Sequence, residues 1–96
     1  MNISGYQFNG PYDPNRGFTT VVPAVYIIVD SASRMLDVGQ SGDLNNRFPN
    51  HPRENSWKNQ AQGQFAMYIY QDGNGNSRLL LESFLRTQYN PPCGER

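Results

Sequence analysis

Ninety-six residues with 36% hydrophobic and 12% aromatic content set the scale of one domain with a single, ring-rich core. Eight basic and eight acidic residues cancel, which removes the global positive footprint of a chain that grips nucleic acid by bulk charge. The single cysteine, Cys93, excludes an internal disulfide and points to a reducing compartment. With no signal-like start and no apolar run near the roughly 18 residues of a membrane span, the expectation is a soluble, cytoplasmic protein with no membrane partner.

Residues 1–23 are dense in Gly, Pro, Asn and aromatics, which rules out a regular helix. They read as an N-terminal strap whose Tyr6, Phe8 and Tyr12 lie on the main domain, residues 24–96. Val25, Ile27, Ile28 and Val29 then form a β-branched run that stops at Asp30. Ser31 to Arg34 supply turn chemistry, and Met35 to Val38 form a second strand ended by Gly39. Asp43 or Ser41 caps a helix with Leu44 and Phe48 on one face. Pro49 stops it near Phe48, because the ring would strike the carbonyl of Asn45. His51-Pro52-Arg53 forms a loop. Ser56 caps a further short helix with Trp57 as a core anchor and Lys58 beside it.

Gln64 to Gln71 reads as a third strand, with Phe65, Met67 and Ile69 alternating with Ala66, Tyr68 and Tyr70. A loop dense in turn residues comes next. Ser77 caps the last helix, Arg78 to Tyr89, whose Leu81, Phe84, Leu85 and Tyr89 form a stripe for burial. Pro91-Pro92 ends it. Three strands interleaved with helices make an α+β sandwich.

The hairpin and the helices after it resemble the GIY-YIG nuclease superfamily. Ala24-Val25-Tyr26 stands at the first triplet and Asp37-Val38-Gly39 at the second, with Asp37 eleven residues after Tyr26. Arg47 follows Gly39 by eight residues, and His51 comes four later. Glu82 lies in LLLESFLRTQY, which resembles the family's later helix with its metal-binding glutamate. The resemblance covers about residues 22–94. It implies a three-stranded antiparallel sheet flanked by helices, and phosphodiester hydrolysis with one divalent ion, Mg²⁺ or Mn²⁺.

In that reading Tyr26 and His51 handle protons, Arg47 forks onto the scissile phosphate, and Glu82 holds the metal. Gly39 is a structural motif residue, and Gln40, Arg53 and Lys58 are phosphate or nucleic-acid contacts. Taken singly, each residue has a plainer reading. Tyr26 suits a core or sheet surface, Arg47 a plain surface arginine and His51 a loop, and Glu82 sits four residues from both Arg78 and Arg86 on what reads as a salt-bridged face.

Three positions depart from the family's pattern: Asp37 replaces a tyrosine, Gln40 stands where some members carry lysine, and Gly94 occupies the late asparagine position. Two roles are open to Asp37: a catalytic carboxylate for metal or water, or a caged strand-end acid paired with Arg47 or Arg34. The leading functional expectation is a metal-dependent endonuclease acting on nucleic acid, DNA in the first instance. The alternative is a catalytically degenerate nucleic-acid-binding or protein-interaction module. A homodimer would help a neutral domain hold both strands of a duplex.

Overall fold

The computed structural model describes residues 1–48 and 51–94, apart from the side chain of Arg47. Pro49, read from the sequence as the helix stop, lies outside the described residues. The chain opens with β1 (Asn2–Ile3), β2 (Tyr6–Gln7) and β3 (Asn9–Tyr12). Next come β4 (Ala24–Asp30), β5 (Met35–Ser41), α1 (Leu44–Arg47) and α2 (Glu54–Gln60). It closes with β6 (Phe65–Gln71) and α3 (Gly75–Tyr89).

The expected three-stranded sheet is corrected by the structure. Among the described residues there are two antiparallel sheets, a two-stranded β1–β2 ribbon and a four-stranded sheet of order β3-β6-β4-β5, with three helices. The fourth strand comes from the strap. β3 pairs Asn9 with Ile69 and Tyr12 with Met67, covering the backbone of β6 that a three-stranded sheet would leave open. A proline is tolerated in such a strand because it lies at the sheet edge. Gly10 lets the chains meet: a Cβ there would stand 2.8 Å from the Met67 carbonyl oxygen and the Tyr68 ring. Phe8, between β2 and β3, is completely buried, so the strap contributes to the core.

β4 is the central strand and is buried along its whole length. Alternation sends its side chains to two separate cores. Ala24, Tyr26 and Ile28 join Leu44, Phe48 and Trp57 beneath α1 and α2. Val25, Ile27 and Val29 join Phe8, Leu81 and Leu85 beneath the strap and α3. A bulge in β5 places one extra residue between the pairs Ile28–Asp37 and Val29–Met35, and this lets Leu36 enter the first core beside Cys93.

Several local expectations shift. β5 runs past Gly39 to Ser41, because Gly39, Gln40 and Ser41 continue the ladder to Tyr26, Val25 and Ala24. Asp43 caps α1 by accepting from the Asn45 amide at 3.0 Å. α2 begins at Glu54 with Arg53 at its cap position and no side-chain cap bond, so Ser56 lies inside the helix. Asn74, not Ser77, caps α3: its side chain accepts from the Ser77 amide at 3.0 Å. On α3, Leu81 and Leu85 are buried, whereas Phe84 and Tyr89 of the expected stripe are exposed. Arg78, Glu82 and Arg86 share the half-buried side with those leucines, at the three-and-four spacing of one helix face.

Beyond α3, the last described residues run along the outer edge of β5. The Cys93 amide donates to the Leu36 carbonyl at 2.9 Å, closing that edge as the strap closes the other. No helix of the described residues is long and apolar enough to cross a membrane.

Candidate functional site

Tyr26 leaves the middle of β4 on the α1/α2 side of the sheet, directly opposite Gly39. Its ring meets Phe48 edge-on at 5.2 Å and His51 at 5.6 Å. His51 also lies 4.8 Å from the Trp57 ring. His51 is thus enclosed by three aromatic rings, and both it and Tyr26 are buried.

Polar contacts fix the orientation of this pair. The Arg53 amide donates to His51 Nδ1 at 3.1 Å, so in the neutral ring the proton sits on Nε2. Nε2 lies 2.6 Å from Tyr26 Oη and donates to it. Arg53 Nη2 is a second donor to the same oxygen, at 3.3 Å. Two cationic or polarised N–H groups therefore converge on one phenolic oxygen.

Asp37, wholly buried, lies next to this pair on β5. Four donors engage it, two per oxygen. Arg53 Nε at 2.7 Å and Trp57 Nε1 at 2.8 Å take Oδ2. Arg86 Nη2 at 3.1 Å and the Val38 amide at 2.8 Å take Oδ1. A carboxylate has about four lone-pair sites, and all are used. Of the two roles the sequence left open for Asp37, this geometry supports the caged acid, with a donor on each lone-pair site. Its cage partners are Arg53 and Arg86. Arg34, one of the expected partners, instead pairs with Asp30 at 3.7 Å.

Arg86 also donates to the Val38 carbonyl and, at 3.3 Å, to that of Cys93. Gly94 makes room for it. With φ of +90°, Gly94 passes so close that a Cβ would stand 2.6 Å from Arg86 Nη2 and 2.7 Å from Asp37 Oδ1. Two of the three departures from the family's pattern, Asp37 and Gly94, therefore touch the same guanidinium.

The guanidinium of Arg53 is partly buried. Burial alone would favour its neutral form, but the hydrogen bond and charge of Asp37 outweigh it, with smaller contributions from Tyr26 and Glu82, and raise its pKa. Glu82 is thus within electrostatic reach of Arg53, on the α3 side that faces β5. Gln40, further along β5, accepts from Arg78 Nε at 3.0 Å, and Arg78 also holds the Asp72 carbonyl at 3.0 Å. Arg78 and Arg86 therefore point to β5, where the sequence suggested a solvated salt-bridged face.

The structure places the residues singled out from the sequence as follows. Tyr26, Asp37, His51 and Arg53 form one hydrogen-bonded cluster, Gly39 underlies it, and Glu82 lies near it. Lys58 is exposed on α2 and lines a separate groove of 630 Å³ with Tyr12, Gln64 and Phe65. The side chain of Arg47 lies outside the described residues. Sequence reading missed Arg86, and missed Trp57 as a hydrogen-bond donor. The one available signal was the spacing of Arg78, Glu82 and Arg86 around Leu81 and Leu85, which places charge on the inward side of a helix.

The donor set bears on a metal. Among the described residues no group of three or more His, Cys, Asp or Glu side chains converges on a cation position, so a closed protein cage is not formed. A carboxylate such as that of Glu82 suits a hard cation such as Mg²⁺ that keeps several waters and takes substrate phosphate as a ligand. In comparisons with known proteins, no family model, curated protein or solved structure matches the chain.

Proposed function

We propose that this chain hydrolyses nucleic-acid phosphodiester bonds, DNA in the first instance, in the manner of the GIY-YIG superfamily that its motifs resemble. The observation that supports this most is the Tyr26–His51 pair, with Arg53 as second donor to Oη. A reacting phosphodiester gathers charge, and its attacking water must lose a proton. Tyr26 Oη, once it has lost its own proton to solvent, is as phenolate the acceptor for that proton. His51 Nε2–H and Arg53 stabilise negative charge on the phenolic oxygen and hold the ring in one position. Arg47 forks onto the phosphate, as the resemblance implies. Glu82 would hold a Mg²⁺ or Mn²⁺ ion, whose chemistry is to neutralise charge on the phosphate oxygens and on the leaving group. The single thiol, Cys93, suits a reducing, intracellular setting.

The test is hydrolysis of plasmid and single-stranded DNA with Mg²⁺ or Mn²⁺. The expected result is metal-dependent cleavage that falls at least about 100-fold in Tyr26→Phe, the usual size of a lost proton-transfer group. Glu82→Ala abolishes the metal-dependent cleavage. Absence of cleavage by the folded wild type overturns the reading.

A second reading has its own support: Tyr26 is completely covered and the charge of Asp37 is consumed internally. A module that binds nucleic acid without cutting it predicts titratable binding, no turnover, and affinity indifferent to Glu82→Ala.

A further inference from the structure

Arg53 touches every part of the cluster. Its amide fixes His51, its Nε bonds Asp37 and its Nη2 bonds Tyr26. Among the described residues, no partner takes Nη1. The Arg53 side chain retains 25% of its exposure, while that of Asp37 has none. A guanidinium held along one edge by a buried carboxylate cannot rotate, so its remaining N–H groups point in one fixed direction. Trp57 Nε1 braces the shared carboxylate oxygen, which removes the last freedom of that edge. Asp37 offsets one of the two guanidinium charges of Arg53 and Arg86, and Glu82 also lies within electrostatic reach of Arg53.

We propose that Asp37 and Arg53 act as one unit, in which Asp37 aims Arg53 so that it bonds Tyr26 Oη and a non-bridging oxygen of a nucleic-acid phosphodiester together. Arg53 contacts the phosphate; Asp37 is a positioning residue that acts only through Arg53. The carboxylate at the second-triplet position thereby works as the anchor of an anion-binding arginine. The proposal rests on nucleic acid being the ligand, as the proposed function holds, but not on its being cleaved.

The experiment is therefore a binding measurement: fluorescence anisotropy of a labelled 12-mer duplex with Ca²⁺ in place of Mg²⁺, which separates affinity from turnover. The variants are Arg53→Gln, Arg53→Lys, Asp37→Asn and the double variant Asp37→Asn/Arg53→Gln. Arg16→Gln on the strap is the control for loss of charge alone. Loss of one charge-assisted fork weakens binding about tenfold in Arg53→Gln. Arg53→Lys recovers little of it, because an ammonium cannot serve carboxylate, phenol and phosphate from one plane. Asp37→Asn loses affinity to a similar extent, and the double variant is no weaker than Arg53→Gln.

Trp57→Phe provides a milder version for the case in which Asp37→Asn does not fold: it frees one edge of the carboxylate without changing charge, and lowers affinity in wild-type Arg53 but not in Arg53→Gln. Unchanged affinity in folded Arg53→Gln, additive losses in the double variant, or no binding by the wild type each overturn the proposal. Binding with this pattern but no cleavage in Mg²⁺ overturns hydrolysis alone.

Discussion

Tyr26 and Gly39 face each other across the β4–β5 ladder, with the ring lying so close over the glycine that a Cβ there would stand 2.3 Å from Oη and 2.4 Å from Cζ. Gly39 is present for its missing side chain. The backbone of β5 passes directly beneath the phenol, and this closeness carries Oη to His51.

Gly39→Ala therefore pushes the ring off its position and separates Oη from His51 Nε2. Overpacking of this kind costs about 1–3 kcal/mol. Urea unfolding of the variant measures the loss, and near-ultraviolet circular dichroism reports the displaced rings. A stability within about 0.5 kcal/mol of wild type, the usual scatter for a surface change, contradicts the contact.

Asp37→Ala strands three side-chain donors and leaves the two arginines facing each other without a counter-charge. Removing one member of a buried ion pair costs about 3–5 kcal/mol, and the partial exposure of Arg53 and Arg86 places the expected loss near the lower end. Gly94→Ala attacks the same contact from the other side, through its left-handed backbone and its approach to Arg86. Because both act on one guanidinium, their losses are expected to be less than additive in a double-variant cycle followed by denaturant unfolding.

Phe8 tests the correction to the fold. A strap that merely lies on the surface would tolerate its loss. A strap that supplies a core side chain and the fourth strand would not. Phe8→Ala is expected to lower stability by about 3–5 kcal/mol, as for a fully buried ring. Amide exchange of β6 should quicken in the same variant, since β3 covers its edge.

Asp30 sets part of the acid response. Its carboxylate accepts amides of Gln62, Ala32 and Arg34, each at 3.0 Å. These bonds, Gln62 first, hold its pKa below the ordinary 3.8 despite burial, with help from the Arg34 charge. As pH falls the unfolded chain takes up the proton first. The contribution is therefore complete above the ordinary value and is lost as pH drops through the folded one. Asp30→Asn should lower the melting temperature at neutral pH, and the gap to wild type should close as the buffer is taken below pH 3.8. A constant gap across that range rules out the linkage.

Much of the local structure was legible in the sequence because it obeys short-range rules. The β-branched run around Ile27 forms β4, Asp43 caps α1 and the Leu81–Leu85 spacing marks the inward side of α3. Long-range choices were not legible. Gly10 and Pro11 argue against a strand, and only the open edge of β6 makes one of that segment. Gln40 and Ser41 look like loop residues, and only pairing with Val25 and Ala24 keeps them in β5.

The candidate site divides in the same way. The sequence by itself determined the set of chemical groups and their order: Tyr26, Gly39, Arg47, His51 and Glu82 at fixed separations, with a carboxylate at Asp37. The tertiary structure alone decided what those groups do to one another. It turned Arg53 and Arg86 onto Asp37 from opposite sides of the sheet, placed Trp57 as their brace, and cleared the space with Gly94. The physical reason is that a charge's role depends on its burial and its partners, and the partners of Asp37 lie 16, 20 and 49 residues away. Spacing along a chain carries no information about which of several arginines will reach a buried carboxylate; packing of α2 and α3 against β5 does.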